Sequence, residues 1–358
     1  MHEIIELTRK LIAFKTTKTR PAELQACSEF IRQYLQTAGV TAEVFESGGT
    51  LSIFSLPQPG FAPLLLMTHF DVVAAPVHLF TPEIRNGRLY GRGAIDDKYA
   101  VALSMVLLKN HTARMVHSGR KAADLPFGIL ITGDEETGGF NGAKKILGMI
   151  RSDFCIAIDG GNPGKIVTRE KGLMELKLTV EGKTAHGARP WLGENAIEKL
   201  IADYFKIQQF FKGLDTPGHW HRTINFSTFK ADGPVNQVPG RAEATFDIRY
   251  TEQDDMEKII EQIRAQISGN LDIVLHEPMF KARTSPHLNQ LLEIASGTET
   301  GFEHGASDAR FLEEHNIPGI IWGADGENSQ HSENEHVTID SVINLYEILD
   351  AYLKSLAP

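Results

Sequence analysis

Residues 63–71 read PLLLMTHFD, and the part over 63–68 is apolar, short and ends just before His69. A run of that length without polar alternation suits a β-strand buried on both faces of a sheet. Two further stretches repeat the pattern: FGILIT over 127–132 stops ahead of the acidic triplet Asp134-Glu135-Glu136, and FCIAI over 154–158 stops at Asp159. Each predicted strand therefore delivers a polar residue at its carboxyl end. Residues 98–109 between them carry helical spacing, which gives the β-α-β alternation of an α/β fold with a mixed, largely parallel central sheet flanked by helices. In open sheets of this kind the ligand crevice lies outside the carboxyl ends of the strands, where the loops leave the core together. The reading of the fold thus also places a site.

Towards the N-terminus, apolar positions fall at helical spacing from Ile4, and a second helical pattern over 22–36 is stopped by Gly39. Beyond Gly172 the rhythm changes: a strand over 174–180, a helix over 194–211, strands near 223–229 and 242–250, a helix near 255–267 and a strand over 272–275. That βαββαβ order is the pattern of a ferredoxin-like sandwich. It predicts an inserted domain over residues 173–285, with residues 1–172 and 286–358 together forming the first domain. There is no internal repeat or low-complexity tract.

A chain of 358 residues exceeds one core of ordinary size and fits two domains. Its 42% hydrophobic content excludes a disordered chain. Thirty-six Lys and Arg against 46 Asp and Glu leave a net charge of -10, which gives a basic nucleic-acid interface no support. Cys27 and Cys155 are too few for a disulfide framework or a Cys-rich zinc site, and both are expected to be buried. The start, MHEIIELTRKLIAF, lacks the pattern of a secretory signal, and no stretch approaches the roughly 20 apolar residues that cross a bilayer. A cytoplasmic protein with no membrane partner is expected.

Chemistry gathers in His69-Phe70-Asp71, in GRGAIDDK over 91–98, in Asp134-Glu135-Glu136, in Asp159-Gly160-Gly161 and in His331. Imidazole and carboxylate donors without thiolate suit zinc, manganese or cobalt, and two His with several carboxylates suffice for a two-metal site with one bridging carboxylate. Each cluster has a plainer reading. Asp71 can fix the tautomer of a metal-ligating His69, or merely satisfy a buried imidazole. The acidic triplet repels itself unless a cation intervenes, or it is a solvated turn ahead of a helix near Asn141. The glycines around Arg92 allow a tight turn into a helix, and a phosphate loop is rejected because neither a third glycine nor GK[ST] follows.

Taken in order, these clusters resemble the co-catalytic metallopeptidases and deacylases of the M20 family, which includes acetylornithine deacetylase, succinyl-diaminopimelate desuccinylase, glutamate carboxypeptidase, aminoacylase and peptidase T. The resemblance spans nearly the whole chain, insert included. It implies that His69 and Asp159 ligate one metal, Glu136 and His331 the second, and Asp96 both. It also implies that Asp71 supports His69, that Glu135 is the general base and that the Asp96–Asp97 peptide is cis. In GKTAHG over 182–187, His186 matches the residue that stabilises the oxyanion, often in a partner subunit's site. Asn236 and Arg249 match residues that hold the substrate's polar end, although Arg249 read alone is equally a structural ion pair. Gly305, in GASD over 305–308, matches a substrate-lining loop. The chain departs from the family at Thr68 and Tyr99, where glycine is usual, and at Ala306, which weakens a specific reading as desuccinylase.

The activity implied is two-metal hydrolysis of an amide in a small substrate that bears a carboxylate, either an N-acyl amino acid or a short peptide. Zinc is the expected metal, with cobalt or manganese as alternatives. Residues 173–285 are expected to act as a lid and to pair two copies of the chain. The competing class is a ligand- or metal-binding protein that has lost the reaction.

Overall fold

The computed structural model describes residues 2–356. It has two compact units: the first runs to Arg169 and resumes over Lys281–Glu303 and from Ser307 onward, and the second is Glu170–Phe280 with His304–Ala306. The second unit ends earlier than residue 285 because the chain has rejoined the first unit by Ala282, whose N–H donates to the Thr168 carbonyl at 2.8 Å. It also takes in residues 304–306, where the His304 ring lies 6.4 Å from that of Trp220.

In the first unit, Phe61–His69 lies between Phe127–Thr132 and Arg151–Ala157 and runs parallel to both. Gly319–Ile321 extends the parallel centre beside Arg151–Ala157. Antiparallel strands flank it: Thr50–Ser55 and Glu43–Ser47 on one side, Lys165–Glu170 on the other. Leu64, Leu65 and Leu66 are all fully buried, which explains the absence of alternation in 63–68: both faces of this strand are covered. The helix Lys98–His117 is buried on most sides and runs eight residues beyond the spacing read over 98–109, since His111 is still anchored by Asp350 at 2.9 Å. The helix expected near Asn141 is a single short turn, Ala143–Leu147. Cys27 and Cys155 are free and buried. Because the central strands are parallel, all their carboxyl ends open on the same edge.

In the second unit, Gly172–Glu181, Thr223–Ala231, Arg241–Tyr250 and Asn270–Glu277 form an antiparallel sheet in the spatial order Thr223–Ala231, Arg241–Tyr250, Gly172–Glu181, Asn270–Glu277. The helices are Ala196–Gln209 and Met256–Arg264, capped by Asn195 on the Ile197 N–H and by Asp255 on the Lys258 N–H. Met174, Leu176, Leu178 and Val180 alternate with less buried residues, so one sheet face carries this core. This is the predicted βαββαβ arrangement. The edge strand Thr223–Ala231 exposes Phe226 and Phe229, and the neighbouring helix exposes Ile201 and Phe205. Among the described residues, no helix is long and apolar enough to cross a membrane.

Candidate metal centre

His69 closes its strand opposite Thr132. The chain then leaves the sheet under restraint: the Phe70 N–H donates to the Thr132 carbonyl, and Thr16 Oγ1 donates to the Phe70 carbonyl at 2.6 Å. His69 Nδ1 faces the Asp71 main-chain carbonyl at 3.1 Å, with an Asp71 carboxylate oxygen at 3.4 Å. A proton on Nδ1 satisfies that carbonyl and leaves the Nε2 lone pair free to ligate. The nearer partner is thus main chain, and the Asp71 carboxylate has a second task. Its two oxygens accept the N–H groups of Glu135 and Glu136, each at 3.1 Å, and so fix the acidic loop. Glu136 Oε1 in turn accepts the Val73 N–H at 3.1 Å.

Asp96 follows a turn that requires glycine: at Gly93, with φ +85°, a β-carbon would stand 2.8 Å from Lys98 Cδ. The Asp96–Asp97 peptide is cis. One carboxylate oxygen of Asp96 lies 2.9 Å from His69 Nε2, and the other lies 2.9 Å from His331 Nε2. Glu136 Oε2 is 3.2 Å from His331 Nε2, and Asp159 Oδ1 is 3.9 Å from His69 Nε2. Two donor sets result, His69–Asp96–Asp159 and Asp96–Glu136–His331, joined at Asp96.

These donors fit a pair of divalent cations. His69 Nε2 is buried and makes no hydrogen bond although Asp96 stands 2.9 Å from it, which is how two ligands of one ion meet. Hard oxygen and imidazole donors suit such ions. With Glu135 included, four carboxylates converge, and two divalent ions balance their charge. Asp96 and Glu136 push the pKa of His331 up to about 10. Burial opposes a proton on His69, yet Asp71 and Asp96 raise its pKa well above the usual value. Burial, and then the Asp159 carboxylate, push Glu135 well above the ordinary carboxyl range.

A family model described as peptidase family M20/M25/M40 matches residues 65–355, which contain every one of these donors. The chain belongs to the M20 peptidase family. As an M20 member it is a metal-dependent hydrolase. It is 28% identical to the succinyl-diaminopimelate desuccinylase of Wolbachia pipientis subsp. Culex pipiens, over 98% of this chain and 92% of that protein. It is also 28% identical to that of Rhodospirillum centenum, over 98% and 96%. Among solved structures, a Staphylococcus aureus tripeptidase superposes with a TM-score of 0.80 at 19% identity, covering 99% of this chain and 98% of that one. The M20 metallo-carboxypeptidase of Sulfolobus solfataricus does so with a TM-score of 0.78 at 19% identity over the whole of both chains.

In this M20 chain the remaining site candidates lie in the second unit. Ala185–His186 pairs with Gln237–Val238, and the Asn236 carbonyl accepts the Gly187 N–H at 2.7 Å, so His186 and Asn236 are brought together. His186 is exposed, and its Nδ1 accepts the Ala188 N–H at 3.0 Å. Arg249 is engaged by Asp247 through contacts of 2.8 and 3.1 Å, the ion pair that its sequence reading left open. Gly305 is exposed, and a β-carbon there would come 3.9 Å from Glu170 Oε1.

For three residues that the sequence reading names only in passing, the structure shows the setting. Asp308 is buried and walls a small cavity with Thr68, His69, Glu135 and Asp159; burial pushes its pKa up to about 6, with Arg310 opposing. Lys98 is fully buried and donates to the Phe14 carbonyl at 2.6 Å. Tyr99 accepts the Ala324 N–H at 2.8 Å and donates to the Ile158 carbonyl at 3.3 Å, immediately before Asp159. Its hydroxyl stands 2.6 Å from where a β-carbon of Gly323 would be.

Proposed function

We propose that this M20 chain hydrolyses the amide bond of an N-acyl amino acid, with Glu135 as the acid-base group. The observation that carries the reading is the placement of Asp96 between His69 and His331, one oxygen 2.9 Å from each Nε2, with Glu135 lining a small cavity beside His69 and Asp159. His69, Asp96 and Asp159 would hold one divalent cation and Asp96, Glu136 and His331 the other, zinc by preference, with cobalt or manganese compatible with the same donors. Such a pair supplies Lewis acidity, which lowers the pKa of water and polarises a carbonyl. Glu135 takes the proton of the attacking water and returns it to the leaving nitrogen. Asp71 keeps Glu135 in register through its main-chain N–H. His186 donates to the developing oxyanion, and Asn236 and Arg249, with the loop at Gly305, take the substrate's carboxylate end. Arg249 must exchange Asp247 for that carboxylate, a swap its planar fork permits.

The acyl-amino-acid reading is supported by curated relatives named as desuccinylases; a second, peptidase reading is favoured by the tripeptidase and carboxypeptidase folds. The two free, buried cysteines suit the reducing cytoplasm. A second copy of the chain pairs through the second unit, where Phe226, Phe229 and Phe205 are exposed together. The test is Glu135→Gln in metal-loaded protein, assayed on N-acyl amino acids and on di- and tripeptides. Metal content should stay at the wild-type level while hydrolysis falls by about 100-fold or more. Full activity in the variant removes Glu135 from the reaction. Wild-type turnover of peptides alone favours the second reading, and two bound ions with no turnover at all favour a binding protein.

A further inference from the structure

His331 differs from the other donors in how it is held. His69 ends a strand inside the sheet, and Glu136 is fixed by Asp71 and Val73. His331 stands in a loop, and its backbone is left-handed at φ +60°, as are those of Glu327 at +52° and Asn328 at +57°. A bulky residue keeps that conformation only when its surroundings impose it.

A buried ion pair reaches the main chain at His331. Arg92 is 3% exposed and Glu335 1%. Arg92 NH1 donates to Glu335 Oε2, while its NH2 donates to the main-chain carbonyl of His331 itself at 3.1 Å. Glu335 Oε1 accepts the Gly93 N–H at 2.8 Å, and the Glu335 carbonyl accepts the Gly91 N–H at 3.0 Å. One guanidinium therefore ties the His331 loop to the glycine turn that leads to Asp96. Lys cannot replace it, because a single ammonium has no planar fork to span both acceptors.

We infer that Arg92, oriented by Glu335, is a positioning residue for His331, setting the left-handed backbone that aims its imidazole at Asp96 and Glu136, and hence the affinity of one of the two cation positions. This rests on the proposed two-cation reading. It assigns a specific task to a pair 243 residues apart in sequence.

The test titrates metal-free wild type, Arg92→Lys, Glu335→Gln and His331→Ala with zinc, reading heat and bound metal per chain, with circular dichroism as the check on folding. Arg92→Lys should retain one ion at wild-type affinity and bind the other about 10–100-fold more weakly, approaching His331→Ala. Glu335→Gln keeps an acceptor for the Gly93 N–H, so it should weaken the same ion and carries the test should Arg92→Lys not fold. Retention of both ions at wild-type affinity in the folded variants overturns the inference, as does equal weakening of both. A wild-type chain that fails to bind two ions instead overturns the functional reading beneath it.

Discussion

Replacing Asp71 by Asn separates two tasks that a metal-supporting aspartate can perform. The carboxylate accepts the N–H groups of Glu135 and Glu136, each at 3.1 Å, whereas the nearest partner of His69 Nδ1 is the Asp71 main-chain carbonyl, which the substitution leaves intact. An amide has one acceptor oxygen, so it can keep only one of the two N–H groups and turns its own donors on the other. Losing one charge-assisted bond and making the second neutral costs about 2–4 kcal/mol. Urea unfolding of the metal-free protein should show that loss. Glu135 is then no longer fixed, and a displacement near 1 Å lowers turnover by about 100-fold. A cation bound through His69 should persist, because the tautomer of the imidazole is set by the untouched carbonyl. The reasoning is refuted if Asp71→Asn unfolds within about 0.5 kcal/mol of wild type with unchanged turnover. It is refuted equally if nitrogen NMR finds that His69 has moved its proton to Nε2, since the carboxylate would then be the group that fixes the ring.

Acid stability should depend on Asp350. Burial pushes its carboxyl up, but Arg114 and Lys354 outweigh it and hold the pKa at about 2. Its contribution is therefore present above the ordinary carboxylate range and is lost as pH falls from about 4 towards 2. Burial depresses His111, with Asp350 opposing, so His111 adds a loss that begins as pH falls through about 6.5. Asp350→Asn should flatten the lower limb of a plot of urea midpoint against pH, and an unchanged limb would remove Asp350 from the account. Phe229→Glu places a charge on the exposed edge strand and should give a monomer by light scattering; a wild type that is already monomeric at high concentration refutes pairing there. If His186 serves the second copy, activity should fall along with association.

Much of the first unit was legible because a strand buried on both faces leaves an unbroken apolar run, and three such runs end at His69, the acidic triplet and Asp159. The second unit was legible for the opposite reason, the regular alternation of Met174, Leu176, Leu178 and Val180 beside two amphipathic helices. The ambiguous triplet was resolved by burial and backbone: Asp134 is interior and accepts the Asn141 N–H at 2.9 Å, while Glu135 and Glu136 hang from Asp71. Illegible features were those that depend on distant partners. Nothing near Arg92 announces Glu335, and the substrate-lining loop over 305–308 gave no sign that Asp308 is buried beside His69. The reach of the helix after Lys98 was missed because Asn110 and His111 look like an ending; each is instead satisfied from the last helix, by Tyr346 and Asp350.

Tyr99 and Gly323 form a lock and its keyhole. The phenol shares with the Gly160 carbonyl, 2.8 Å from where a β-carbon would stand, the volume that any side chain at 323 would need, and it staples the segment bearing Asp159 to the one that leads to His331. The two positions do not compensate for each other: shrinking residue 99 removes the ring, yet the Gly160 carbonyl still excludes a side chain at 323. Glycine at 323 is thus demanded by the main chain as well as by the ring, whatever stands at 99.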